Sequence, residues 1–220
     1  MMRRDAQRTQ ASRRRRWSPV LQALATATQQ QAGPFCRGPP SDSGVVSEVT
    51  QRLYLSDEEP ACDQAVLWSL GITHIVRVEP DEGLPLFEGI RYLRLPSEDL
   101  PDYPIAAHFA EATRFIAEAM AGSWEHRVLV HCQAGISRSP TIVAAYLMGT
   151  GNLSADAALS ETRRRHPPSL PNEGFRRQLD LYEDALDSRR RCLDQLGQRI
   201  ADASVLSTVG LYLGPIELPT

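Results

Sequence analysis

Cys132 and Arg138 are separated by five residues in the run HCQAGISRSP, residues 131–140. A loop whose backbone N–H groups curl around one point and close onto a helix N-terminus is an anion site. A cysteine at the bottom of such a bowl sits in a field that favours thiolate over thiol, and the thiolate is the nucleophile. The fork of Arg138 can grip two oxygens of a phosphate. Gly135 permits a backbone turn that a Cβ would obstruct. Ser139 can donate a hydrogen bond to the sulfur as it leaves. These types at this spacing could attack a phosphate ester through sulfur. The N–H groups of Gln133, Ala134, Gly135, Ile136, Ser137 and Arg138 would hold the phosphate oxygens.

The elements around the run suit that task. Val128, Leu129 and Val130 form a short apolar run of the buried-strand type. Pro140 fits the first turn of a helix, and the apolar stretch Ile142 to Met148 continues it. Strand, tight loop and helix therefore follow in order. A phosphate ester also needs a group that protonates its leaving oxygen and later activates water. The candidates are Glu98, Asp99 and Asp102, in the acid-rich loop PSEDLPDYP.

With its strand, His, Gly, Ser and helix, the run resembles the signature loop of the cysteine-dependent protein tyrosine phosphatases, in the form of their dual specificity branch. The resemblance spans roughly residues 45–186 and is closest to the small, atypical members. IRYLRLPSEDLPDYPIAAHF resembles the family's general-acid segment, which places Asp99 in the acid position with Asp102 as the fallback. RRRHPPSLPNEGFRRQLDLYE resembles the segment that buttresses the signature loop, with Asn172 as support and Gly174 and Phe175 as packing. His131 is expected to support Cys132 by hydrogen-bonding backbone. His74, His108, His126 and His166 read as ordinary. Arg77 departs from the family, which often has Asn at that strand end, so the anchoring of the neighbouring loop is open.

What the resemblance implies is a phosphoprotein phosphatase acting on phosphotyrosine and on phosphoserine or phosphothreonine through a phosphocysteine. It needs no metal and no cofactor. MAP kinases are its family-level suggestion as substrates. The loop interior carries no basic residue besides Arg138, which favours phosphoprotein over inositol lipid or RNA triphosphate. A phosphosite-binding scaffold or adaptor with slow catalysis is the alternative.

Apolar runs alternate with helical patterns along the chain. LYLS reads as a first strand, at an edge, and SDEEPACDQAVLWSLG as a helix closed by Gly71. ITHIVRV and IRYLRL are further strands. Residues 105–120 repeat apolar positions at helical spacing. LSADAALSETRRRH is a helix capped by Ser154, and a long helix starts at 173. The expected class is α/β: a central, mostly parallel sheet of about five strands with helices on both faces.

Three regions are expected: an Arg-rich, disordered segment 1–41, a phosphatase domain 42–190, and a helix end and apolar tail 191–220 packing back on the domain. Of the 24 basic residues, all Arg, eight lie in 1–41 beside a single acid, Asp5; the remainder is acidic, giving a net charge of −3 overall. That balance predicts no nucleic-acid partner. The basic head reads as a solvated tail, a nuclear signal at Arg13 to Arg16, or a mitochondrial presequence. No run approaches the length of a membrane span. The scattered cysteines suit a reducing compartment, cytoplasmic or nuclear.

Overall fold

The tetrapeptides Leu53–Ser56, His74–Arg77 and Val128–His131 are buried at every residue in the computed structural model. The structure describes residues 44–80 and 83–212, with side chains through 200. These strands form the centre of a five-stranded sheet. Its strands are β1 (Ser47–Thr50), β2 (Leu53–Ser56), β3 (His74–Arg77), β4 (Arg91–Arg94) and β5 (Val128–His131), in the order β1-β2-β5-β3-β4. All pairs are parallel except the β1–β2 hairpin. LYLS is thus an inner strand, because β1 pairs outside it and takes the edge.

Side chains alternate across the pleat, so each strand feeds two cores. Leu53, Leu55, Val76, Val128 and Val130 point to one face and Tyr54, Ile75 and Leu129 to the other. The larger face is covered by α3 (Phe109–Gly122), α4 (Arg138–Gly151), α5 (Ala155–Arg165) and the first turns of α6 (Glu173–Tyr212). Ile105 opens a 3-10 turn before α3, and Ile105, Phe109, Ala112 and Ile116 are buried there at helical spacing. The smaller face carries α1 (Glu58–Ala61) and α2 (Gln64–Leu70).

These two short helices replace the single one expected over 56–71. Asp57 caps the first by accepting from Glu59 N, and Asp63 caps the second by accepting from Ala65 N and Val66 N. A cap inside the segment starts a new helix. Gly71 closes α2 in the left-handed conformation, as its position predicts. Ser154 caps α5 by accepting from Ala157 N.

The final helix continues through Tyr212, and every residue from 191 to 200 is exposed. The apolar tail 206–219, expected to pack back on the domain, lies beyond the residues whose side chains are described. Phe175 and Leu179 are buried and Tyr182 and Leu186 pack at the core's edge, but Leu193, Leu196 and Ile200 stand in solvent. The Arg-rich segment 1–41 and the end of the tail lie outside the described residues. Among the described residues no helix is long and apolar enough to cross a membrane.

Register places the chemistry. Ser56 and Arg77 both pair with His131, so β2 and β3 end level with β5 on either side of it. The run 132–137 begins at that level, at the carboxyl ends of parallel strands, where ligands of such sheets bind.

Candidate active site

The carbonyls of the loop after β5 are turned outward. Gln133 O accepts from Glu58 N at 3.3 Å, and Ile136 O from Leu170 N at 2.7 Å. Ser137 O accepts from Thr141 N at 3.1 Å and Thr141 Oγ1 at 2.7 Å. Gly135 O accepts from His166 Nε2 at 3.2 Å. No protein acceptor among the described residues takes a hydrogen bond from the backbone N–H groups of Gln133 to Ser137. Carbonyls spent outward and amides left over is the arrangement of an anion nest.

Gly135 is what lets the loop close. Its φ is +66°, and a Cβ there would stand 2.9 Å from Asp57 N and 3.1 Å from Ser56 O. Any side chain would drive the loop off the end of β2.

His166 is more than an ordinary histidine. Nε2 must carry the proton to donate to Gly135 O, which leaves Nδ1 to accept from Ser47 Oγ at 2.9 Å. Burial holds its pKa below the ordinary value, so the ring is neutral as that bonding requires. The edge strand thereby reaches the signature loop through one imidazole. Sequence offers no local signal for this, since Ser47 and His166 lie 119 residues apart.

Cys132 lies at the floor of the loop, 1% exposed, and its Sγ accepts from Ser139 Oγ at 3.1 Å. Arg138 is buried as the first residue of α4. Its Nη1 donates to Ser97 O at 3.1 Å, and its Nε has no acceptor among the described residues. A buried guanidinium donor without an acceptor is costly unless an anion takes it.

Of the three candidate acids, Asp99 alone is tied to this loop. Its Oδ1 accepts from Ser137 Oγ at 2.7 Å and from Asn172 Nδ2 at 2.8 Å. Asn172 N donates to Ser137 Oγ at 3.1 Å, and Asn172 Oδ1 accepts from Phe175 N at 2.9 Å, capping α6. Both bonds fall on Oδ1, and Oδ2 takes no hydrogen bond among the described residues. Glu98 and Asp102 are exposed and make no hydrogen bond to the signature loop.

The segment 96–104 is fastened at both ends. Arg138 holds Ser97 O, Tyr103 OH donates to Pro96 O, and Gln178 Nε2 donates to Tyr103 O at 2.8 Å. A Cβ on Gly174 would overlap the backbone of Pro101, so the loop rests directly on α6.

His131 departs from expectation. It is 1% exposed, neither ring nitrogen has a hydrogen-bond partner among the described residues, and the Cys132 backbone is a polar group beside the ring. Burial first, and then the Arg77 charge, lower its pKa to about 3. The ring is neutral, so the 3.5 Å approach of Glu79 Oε1 to Nδ1 is a dipolar contact rather than an ion pair.

Arg77 answers the question its sequence position raised. The side chain is buried, lies 5.7 Å over the Tyr92 ring, and donates to Pro85 O at 3.0 Å and Leu84 O at 3.5 Å. The loop after β3 is thus anchored by a guanidinium on its carbonyls.

The model of the dual specificity phosphatase catalytic domain matches residues 53–185. This chain belongs to the dual specificity phosphatases. Mouse dual specificity protein phosphatase 22 is 36% identical over 138 residues, covering 63% of this chain and 73% of that protein. Mouse dual specificity protein phosphatase 13B is 36% identical over 148 residues, covering 64% and 74%. The crystal structure of DUSP15 superposes with a TM-score of 0.63 at 36% identity, over 70% of this chain and 97% of that one. Membership is with the small, atypical phosphatases, and the chain is a protein-tyrosine/serine/threonine phosphatase.

Proposed function

We propose that Cys132 is the nucleophile, Arg138 and the 133–138 amides the phosphate cradle, Asp99 the acid and base, and Ser139 the hydrogen-bond donor to the departing sulfur. Cys132 Sγ attacks phosphorus in line, forming the S–P bond as the P–O bond to the protein substrate breaks. Asp99 Oδ2 gives its proton to the leaving oxygen. Water then attacks the phosphocysteine, Asp99 takes its proton, and the S–P bond breaks to return the sulfur as thiolate. Charge spreads over the equatorial oxygens in the transition state, where fixed amides and a guanidinium cost no reorganisation. His131 and Asn172 position this machinery without touching substrate.

The observation that carries this reading is the 3.1 Å hydrogen bond from Ser139 Oγ to the buried Cys132 Sγ, inside a loop whose carbonyls face away. Cys132→Ser tests it. Turnover of para-nitrophenyl phosphate is expected to fall by at least about 10³-fold while tungstate still binds. A serine variant that turns over at the wild-type rate overturns the assignment.

Retention of Cys132, Arg138 and Asp99 supports turnover over a phosphosite-binding scaffold. Phosphorylated MAP kinases, suggested by family resemblance, are the finer substrate proposal, and trapping with Cys132→Ser in lysate tests it. A cytoplasmic or nuclear location is proposed from the sparse cysteines and the Arg13–Arg16 cluster. A reporter fused to residues 1–41 tests it, and mitochondrial import of the fusion contradicts it.

A further inference from the structure

A groove of about 130 Å³ lies on the far side of the segment that braces the signature loop. Leu170 N holds Ile136 O, and Ser169 N donates to His166 O at 3.0 Å, so this short stretch has the catalytic loop on one flank. On its other flank the groove runs between α5 and the start of α6, with Arg163 on one wall and Arg176 on the other.

These two arginines differ from their neighbours. Arg164 and Arg165 share an ion pair with Glu161, Arg177 pairs with Glu173, and Arg190 with Asp187. Arg163 and Arg176 have no carboxylate within ion-pair distance among the described residues, although Asp156 lines the same groove. Ser169 also lines it. That residue is 3% exposed, and its Oγ has no hydrogen-bond partner among the described residues. A buried hydroxyl without a partner is costly, and nearly all are satisfied in folded proteins. The groove lining carries two guanidiniums without an ion-pair partner against the single carboxylate of Asp156, a net positive cleft that suits an anion. The groove stands out further because the chain beyond residue 41 carries 26 acids against 16 arginines.

We propose that this groove is a specificity subsite for a carboxylate side chain of the phosphoprotein substrate, lying a few residues from the phosphorylated one. The proposal rests on the phosphoprotein phosphatase reading. Leu170, exposed at the groove's edge, ties the groove to the catalytic loop through its bond to Ile136 O, and the exposed Arg163 and Arg176 would grip the acid.

Phosphotyrosyl peptides with Glu or Gln at successive positions on both sides test this. The readout is the Glu/Gln ratio of kcat/KM for the wild type, Arg163→Ala, Arg176→Ala, the double variant and Ser169→Ala. One position is expected to favour Glu by roughly fivefold to tenfold. The ratio should fall towards one in the double variant and with added salt. Anisotropy titrations of the same peptides on Cys132→Ser give the ratio without turnover. A ratio near one at every position overturns the proposal, as does one that survives the double variant. A second phosphoresidue preferred over Glu at that position, with the same arginine dependence, overturns the carboxylate assignment. Para-nitrophenyl phosphate is the separate check on the underlying reading. If the wild type hydrolyses it and no Glu preference exists, the subsite fails while the phosphatase reading stands.

Discussion

Asn172 donates from Nδ2 to Oδ1 of Asp99 at 2.8 Å, joining segments 73 residues apart. Ser137 Oγ reaches the same oxygen at 2.7 Å, and Asn172 N reaches Ser137 Oγ at 3.1 Å. One asparagine therefore caps the final helix, braces the phosphate loop and aims the acid.

Two substitutions separate those duties. Asn172→Ala removes both side-chain bonds and is expected to cost about 1 kcal/mol of stability through the lost cap. It should also lower kcat by about tenfold or more through a misplaced Asp99. Asn172→Asp keeps an acceptor for Phe175 N but sets a carboxylate against Asp99. Its melting temperature should lie near wild type while kcat falls. Equal kcat in all three proteins contradicts an aiming role.

Gly174→Ala should act at a distance from the chemistry. The added Cβ overlaps the Pro101 backbone, so the acid loop has to lift off α6. Hydrolysis of alkyl phosphates should suffer by about 10²-fold, and aryl phosphates with good leaving groups far less, because only the former depend on the acid. Equal losses on both substrate types would place the damage elsewhere.

The sequence carried some of this architecture and not the rest. Strand periodicity, the Gly71 stop, the Ser154 cap and the HCQAGISRSP run are local patterns, set by neighbours in the chain. The bonds from Asn172 to Asp99, His166 to Gly135 and Arg138 to Ser97 join residues tens of positions apart, and no spacing rule announces them. LYLS is covered on its outer side by SEVT, whose polar residues carry no strand signal of their own. The helix over 56–71 divided because Asp63 caps more strongly than the apolar pattern continues.

Arg77→Leu is expected to loosen the loop after β3. It removes the donors to Leu84 O and Pro85 O and the stack on Tyr92. A loss of about 1–3 kcal/mol in chemical denaturation is expected, with faster protease cleavage within residues 83–89. Unchanged stability would show that the buried guanidinium contributes nothing net, an outcome known for buried charges replaced by apolar residues.

Acid should destabilise the fold through two histidines. Burial, with Arg77, holds His131 at about 3; burial, with His126 and Arg91, holds His74 at about 4. The unfolded chain takes up both protons near pH 6.5, whereas the folded chain takes them up only far lower. Their contribution is therefore complete above pH 6.5 and is lost as pH falls from there towards 4 and 3. The loss amounts to at most about 1.4 kcal/mol per pH unit for each group. Urea denaturation at pH 7, 6 and 5 should show a decline that is shallower in His74→Gln. A flat profile across that range counts against buried neutral imidazoles.

The central claim is that phosphate passes through Cys132. Rapid acid quench of Asp99→Ala during turnover of para-nitrophenyl phosphate, followed by mass spectrometry of the peptide containing residues 128–138, measures this directly. The account predicts a single phosphate on Cys132, accumulating because Asp99 is absent to activate water. Sustained product release from an enzyme whose Cys132 stays unmodified at every quench time would contradict it.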